Sequence, residues 1–167
     1  MPLNNEIERK WLIDADNIPF DLSKAKKDVL TQAYISFSPT IRVRSENGER
    51  FILCVKAKSK GSYLAREEFE TELTKEQFEF LLAKKEGQII EKTRYTIKCD
   101  GLNYEIDIFH GDLSPLAYLE IEFPSVEEAM SFKTPSWAVK DVTDDFRYKN
   151  AGLAKYGKPE EAENNEE

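Results

Sequence analysis

The sequence predicts an α+β fold in which eight antiparallel strands close into a barrel, a tunnel with a charged interior and helices packed outside. Three observations carry this expectation. Eight stretches alternate apolar and polar residues with period two, the pattern of half-buried strands. Asn47-Gly48 and Asp100-Gly101 supply the tight-turn chemistry of hairpins, which makes their flanking strands antiparallel. Ionised side chains fall on one parity of these stretches and apolar side chains on the other.

The strands are expected at about 6–12, 30–36, 41–46, 50–57, 65–73, 89–98, 103–110 and 117–123, arranged mostly as a meander. Helices fall between or after them. Thr74 to about Lys85 opens with Thr-x-x-Gln, and Ser125 to about Phe132 opens with Ser-x-x-Glu, both capping-box patterns. A further helix is expected near 22–29 and another within 144–156.

Taken strand by strand, one face collects Glu6, Glu8 and Lys10; Arg42 and Arg44; Lys56; Arg66, Glu68, Glu70 and Glu72; Lys92 and Arg94; Glu105 and Asp107; and Glu120 and Glu122. The opposite face collects apolar residues such as Ile7, Trp11, Val43, Leu53, Phe69, Ile106 and Ile121. The wet side of an ordinary antiparallel sheet would also sort residues this way, and for a single strand that reading is the simpler one. The whole set argues for an interior. Arg and Glu dominate where Thr, Ser and Gln are usual, and the signs are sorted, with acids repeated at 6–8, 105–107 and 120–122 and bases at 42–44 and 92–94. Like charges two apart on one strand face repel, so the pattern needs something of opposite sign between them. Eight strands can close around one small ligand. Such an interior must be hydrated, because unpaired ions in a dry core cost too much.

Composition narrows the classes. The 167 residues, 40% hydrophobic, suit one domain, expected over 1–157, followed at 158–167 by "KPEEAENNEE", an acidic tail expected to be disordered. With five glutamates against one lysine, that tail carries half of the net charge of −8. The body has as many acids as bases to within a few residues and no continuous basic footprint, which disfavours nucleic acid as a partner. No apolar run approaches the roughly 18 residues of a membrane span, and the start lacks a secretory pattern, so no membrane partner and a cytoplasmic location are expected. Cys54, Cys99 and the lone His110 cannot build a usual zinc site. There is no Gly-rich phosphate loop of the Walker type, and nothing in the sequence sets an oligomeric state.

Clustered carboxylates without His or Cys suit a hard divalent cation, Mg²⁺ or Mn²⁺, while clustered Arg and Lys suit phosphate oxygens. A polyphosphate complexed with metal supplies both complements. At this point the sequence resembles the CYTH superfamily, the triphosphate tunnel metalloenzymes, in their compact bacterial inorganic triphosphatase type. "EIERK" matches the family's Glu-x-Glu-x-Lys opening, and "RVR" at 42–44, "VK" ending at Lys56, "REEFETEL" from Arg66, "EKTRY" from Glu91, "EIDIFHG" from Glu105, "LEIEFP" from Leu119 and "FRYKN" from Phe146 follow in order.

The resemblance implies a tunnel binding a triphosphate and divalent cations. By matched position, Glu6, Glu8, Glu120 and Glu122 would hold metal, with Asp107 added to that set and Glu68 and Glu70 as further tunnel acids. Lys10, Arg42, Arg44, Lys56, Lys92 and Arg94 would cradle phosphates, with Arg147 a further contact from the C-terminal segment, and Arg66 would pair with neighbouring acids. Glu6, Glu8, Lys10, Glu120 and Glu122 form the implied catalytic set. The expected reaction is metal-dependent hydrolysis of inorganic triphosphate, or another triphosphate, to pyrophosphate or a diphosphate and phosphate. Cyclisation of ATP, as in class IV adenylyl cyclases of the superfamily, and a non-catalytic polyphosphate-binding module are the alternatives.

Overall fold

A computed structural model describes residues 4–58 and 64–160. Its strands are β1 (Asn4–Ile13), β2 (Lys26–Ser36), β3 (Thr40–Glu46), β4 (Arg50–Lys58), β5 (Ala65–Leu73), β6 (Glu86–Cys99), β7 (Leu102–Phe109) and β8 (Ala117–Glu122). Strands β2 to β5 form one antiparallel meander and β6 to β8 a second, joined where β2 pairs with β6. β1 then closes the ring. Its Asn4–Ile7 half pairs with β5 and its Glu8–Leu12 half with β8, giving a closed eight-stranded antiparallel barrel. The order around it is β1, β5, β4, β3, β2, β6, β7, β8.

The hairpin chemistry acts as expected. Asn47 and Gly48 have φ of 55° and 66°, and Asp100 and Gly101 have φ of 51° and 77°, conformations these residues adopt at least cost. Helix α1 (Lys75–Leu82) carries the full capping box, with Thr74 Oγ1 accepting from Gln77 N–H and the Gln77 side chain accepting from Thr74 N–H. Helix α2 (Val126–Ser131) has only the forward half, Glu128 N–H donating to Ser125 Oγ. Helix α3 (Asn150–Tyr156) follows a 3₁₀ turn at Phe146–Tyr148 and ends at Gly157, φ 78°.

Two expectations are corrected. The region near 22–29 is a 3₁₀ turn, Leu22–Lys24, that gives way to β2 at Lys26, because β6 is 14 residues long and pairs with the chain from Lys26 onward. A short ninth strand, β9 (Ala138–Asp141), adds to the outside of β1 along Trp11–Ile13. Residues 161–167 of the expected tail lie outside the described residues; Lys158, at its start, donates to the Ser114 carbonyl at 3.2 Å.

The apolar parity faces outward and is covered. Trp11, Ile106, Leu119 and Ile121 are fully buried under α2 and the segments flanking it, while Val43 and Phe51 pack against Phe78 of α1. A third cluster lies at one end of the barrel. There Tyr34, Ile90, Phe109 and Tyr118 meet Tyr148, Leu153 and Ala154 of the C-terminal segment. Burial of this kind contributes about 1.5–3 kcal/mol per large side chain, so α3 is fastened as a stopper on that end. No helix among the described residues is long and apolar enough to cross a membrane.

Candidate active site

Alternation along each strand sends every second side chain inward, and the inward set is the charged one. The tunnel is lined by Glu6 and Glu8 (β1), Glu68 and Glu70 (β5), Lys56 (β4), Arg42 and Arg44 (β3), Gln32 (β2), Arg94 (β6), Glu105 (β7), Glu120 and Glu122 (β8), and Asn150 of α3. Placed on the strand order, these residues divide into two arcs. Acids occupy the contiguous strands β7, β8, β1 and β5, and donors occupy β4, β3, β2 and β6. Lys10 on β1 and Arg66 on β5 are the cations of the acidic arc.

Within the acidic arc the register sets carboxylates face to face. Glu8 is the cross-strand partner of Glu122, and Glu105 that of Glu120. Directly opposed like charges on one sheet face destabilise it unless a cation lies between. The protonation states agree. Burial raises Glu8 to about 8, reinforced by Glu120 and Glu6. Burial also raises Glu68, with help from Glu6, and Glu105, against the pull of Arg94, each to about 7. Glu6 is the contrast: burial pushes it up, but the Lys56 ammonium, 2.8 Å away, overcomes this and holds it at about 2. Glu120 Oε1 lies 3.1 Å from Lys10 Nζ and is buried without accepting a hydrogen bond among the described residues. Crowded oxygen donors, among which Glu8 has no ion pair within the described residues and is pushed toward its protonated form, fit a hard divalent cation.

The donor arc is under-used. Arg42 makes no ion pair among the described residues, and the Nε groups of both Arg42 and Arg44 are buried without partners. Among the described residues, the one ion pair of Arg44 is that of its Nη2 with Glu46, at 2.9 Å. Deeper, toward the stopper, Lys92 Nζ pairs with Asp107 at 2.8 Å, and Arg94 binds the same carboxylate through Nε and Nη2 at 2.8 and 2.9 Å. Burial lowers Lys92 to about 8 despite Asp107. Burial would raise Asp107, yet Arg94 and Lys92 hold it well below the usual carboxylate range.

The expected site residues thus fall into three groups. Glu6, Glu8, Glu120, Glu122, Arg42, Arg44, Lys56 and Arg94 line the tunnel, and Lys10 and Lys92 lie buried beside it. Asp107, expected among the metal acids, is fully buried with both oxygens engaged by cations, so it serves as their counter-ion. Arg147, expected at the phosphates, points outward and is bound to Asp145, its Nη2 2.6 Å from Asp145 Oδ2. The C-terminal segment reaches the tunnel through Asn150, whose Oδ1 accepts from Lys92 Nζ at 3.4 Å, and through the Tyr148 carbonyl, which accepts from Lys10 Nζ at 3.4 Å. Arg66 forms no ion pair among the described residues, and Glu72 lies outside, on Arg50. Gln32 and Cys54 also belong to the inward face, as cross-strand partners of Arg44 and of Arg42 and Glu70. A reading of charges alone passes over both. An apolar groove beside α1, with Phe80 exposed, has no ionisable cluster of this kind.

Comparison with known proteins agrees with this architecture. The CYTH domain family model matches residues 4–150. The inorganic triphosphatase of Nitrosomonas europaea is 40% identical over 154 residues, spanning 89% of this chain and 96% of its own. That of Acetivibrio thermocellus is 36% identical over 159 residues, spanning 92% and 95%. A solved inorganic triphosphatase structure, 37% identical and covering 89% of this chain and 93% of its own, superposes with a TM-score of 0.64. Barrel, arcs and relatives together place the chain in the CYTH domain family.

Proposed function

We propose that the protein hydrolyses inorganic triphosphate to pyrophosphate and phosphate inside the barrel, with Mg²⁺ or Mn²⁺ as cofactor. The observation that carries this reading is the split of the tunnel into an acidic and a basic arc, two complements that one metal–triphosphate complex satisfies together. The names of its relatives point to the same substrate.

Glu6, Glu8, Glu120 and Glu122 would hold the divalent ions, which when bound neutralise phosphate oxygens and acidify water. Arg42, Arg44, Lys56 and Arg94 would grip the triphosphate oxygens, the arginines with fork geometry that a lysine lacks. Lys10 and Lys92 sit at the stoppered end, where their ammonium groups can meet one terminus of the chain of phosphates. Asp107 acts through them, fixing Lys92 and Arg94 in position. Catalysis of this kind rests on orientation and on stabilising charge that spreads over the equatorial and leaving oxygens. No protein nucleophile is required.

The test is product analysis after incubation with inorganic triphosphate, ATP or thiamine triphosphate, with Mg²⁺, Mn²⁺ or EDTA. Metal-dependent phosphate release, fastest from inorganic triphosphate, is expected. Cyclic AMP from ATP would identify a cyclase, and inactivity on all three substrates would sink the hydrolase reading. Glu8→Gln should raise the metal concentration needed, whereas Arg44→Ala should raise KM.

A further inference from the structure

We propose that Gln32 is a substrate-binding residue whose Nε2–H donates to a non-bridging phosphate oxygen. The inference rests on the reading of the tunnel as a triphosphate site. Gln32 is only 1% exposed, lines the tunnel, and its Nε2 has no hydrogen-bond partner among the described residues. A buried donor without an acceptor is unusual and costly, and here it is one of three on adjacent strands, with Arg42 Nε and Arg44 Nε. All three are donors, and a phosphate oxygen is an acceptor only.

Position gives the amide its use. β2 is one of the two inner strands of the basic arc and lies opposite β1, which carries Glu6 and Glu8, in the barrel order. Gln32 is the direct cross-strand partner of Arg44, while Tyr34, further along β2, partners Arg42. A fourth cation, set between Arg42 and Arg44 of β3 and Arg94 of β6, would add repulsion within the arc; an amide adds a donor without charge. Gln32 therefore binds an oxygen of the anion that the arginines attract, and it does so in ground and transition states alike.

The test uses Gln32→Met, close in shape and without donors, and Gln32→Glu, close in shape and anionic. For Gln32→Met, KM for inorganic triphosphate should rise about tenfold or more while kcat stays within about threefold. Its melting temperature without ligand should equal or exceed that of the wild type, because an unpaired buried donor has gone. Gln32→Glu should melt higher than wild type without ligand, its carboxylate lying beside Arg44, yet bind triphosphate more weakly than Gln32→Met. Unchanged triphosphate affinity in either variant overturns the assignment, as does a lower melting temperature in both with KM unaltered, which would make Gln32 purely structural. Calorimetric titration of the wild type with triphosphate separates the two levels of inference. Binding without hydrolysis removes the hydrolase reading and leaves Gln32 testable by affinity, whereas absence of binding overturns both.

Discussion

Replacing Asp107 by Asn removes one negative charge and little volume from a fully buried position that holds two cations. Arg94 keeps Glu105 at 3.1 Å and Glu120 at 3.4 Å, so the loss falls chiefly on Lys92, which keeps no ion pair and is left with neutral contacts: the amide oxygen at 107, Asn150 Oδ1 at 3.4 Å and the Phe109 ring at 5.4 Å. Breaking a buried pair by deleting one partner costs about 3–5 kcal/mol. For a domain of this size that is a fall in melting temperature of roughly 6–20 °C. The loss should depend on pH. Lys92 in the folded wild type titrates near 8, below its ordinary 10.5, so between those values the unfolded chain binds more protons and stability rises with pH. Without Asp107 the folded-state value drops further and this rise begins at lower pH, because a neutral Lys92 no longer misses its partner. Thermal denaturation of both proteins without ligand, at pH 6 and pH 9, measures the effect: a large deficit at pH 6 that shrinks at pH 9. If Asp107 were a metal ligand, the variant would lose metal affinity and keep its unliganded stability. A deficit below about 1 kcal/mol, or one equal at both pH values, would refute the counter-ion role.

Three further outcomes follow from the same geometry. Because Glu8 titrates near 8 and Glu68 and Glu105 near 7, loading a divalent ion must displace protons. Mn²⁺ affinity should climb by about tenfold per pH unit for each proton released, below about 8 for Glu8 and below about 7 for Glu68 and Glu105, and calorimetry in buffers of different ionisation enthalpy should detect that release; pH-independent affinity would contradict it. Gly152→Ala would drive a Cβ into the Phe146 carbonyl oxygen and unseat α3, so hydrogen exchange over 150–156 should accelerate and stability fall by about 1–3 kcal/mol. Arg147→Ala should leave kcat/KM within about twofold of wild type, since its guanidinium is held outside by Asp145; a larger loss would restore the phosphate contact first expected of it.

How much of this was legible in the sequence depended on how strictly a residue's parity fixed its surroundings. All eight barrel strands were readable, because Glu6-Ile7-Glu8 or Glu120-Ile121-Glu122 admit one inward and one outward assignment once the barrel closes. Four-residue β9 has too few positions to show alternation, and its pairing depends on Trp11–Ile13, more than a hundred residues away. The segment from Leu22 offered no such alternation, and the unusual length of β6 decided it. On the strands, charge marked the side chains that turn into the tunnel; in the C-terminal segment it did not. Arg147 has the right chemistry in a 3₁₀ turn that aims it outward, while Asn150, three residues later, is neutral and reaches Lys92. Gln32 could have been found by extending the parity rule to uncharged side chains: it alternates with Ala33 and shares its side of β2 with Tyr34. The role of Asp107 was out of reach, because it depends on Lys92 and Arg94 meeting at one carboxylate, which register alone fixes.

The most direct measurement is a crystal structure of the protein with Mn²⁺ and a non-hydrolysable triphosphate analogue, using anomalous scattering to locate manganese. Manganese between the carboxylates of β1 and β8, with phosphate oxygens on Arg42, Arg44 and Arg94, is the predicted result. Manganese and phosphate found only on the outside of the barrel, with the tunnel carboxylates and arginines contacting neither, would contradict the account.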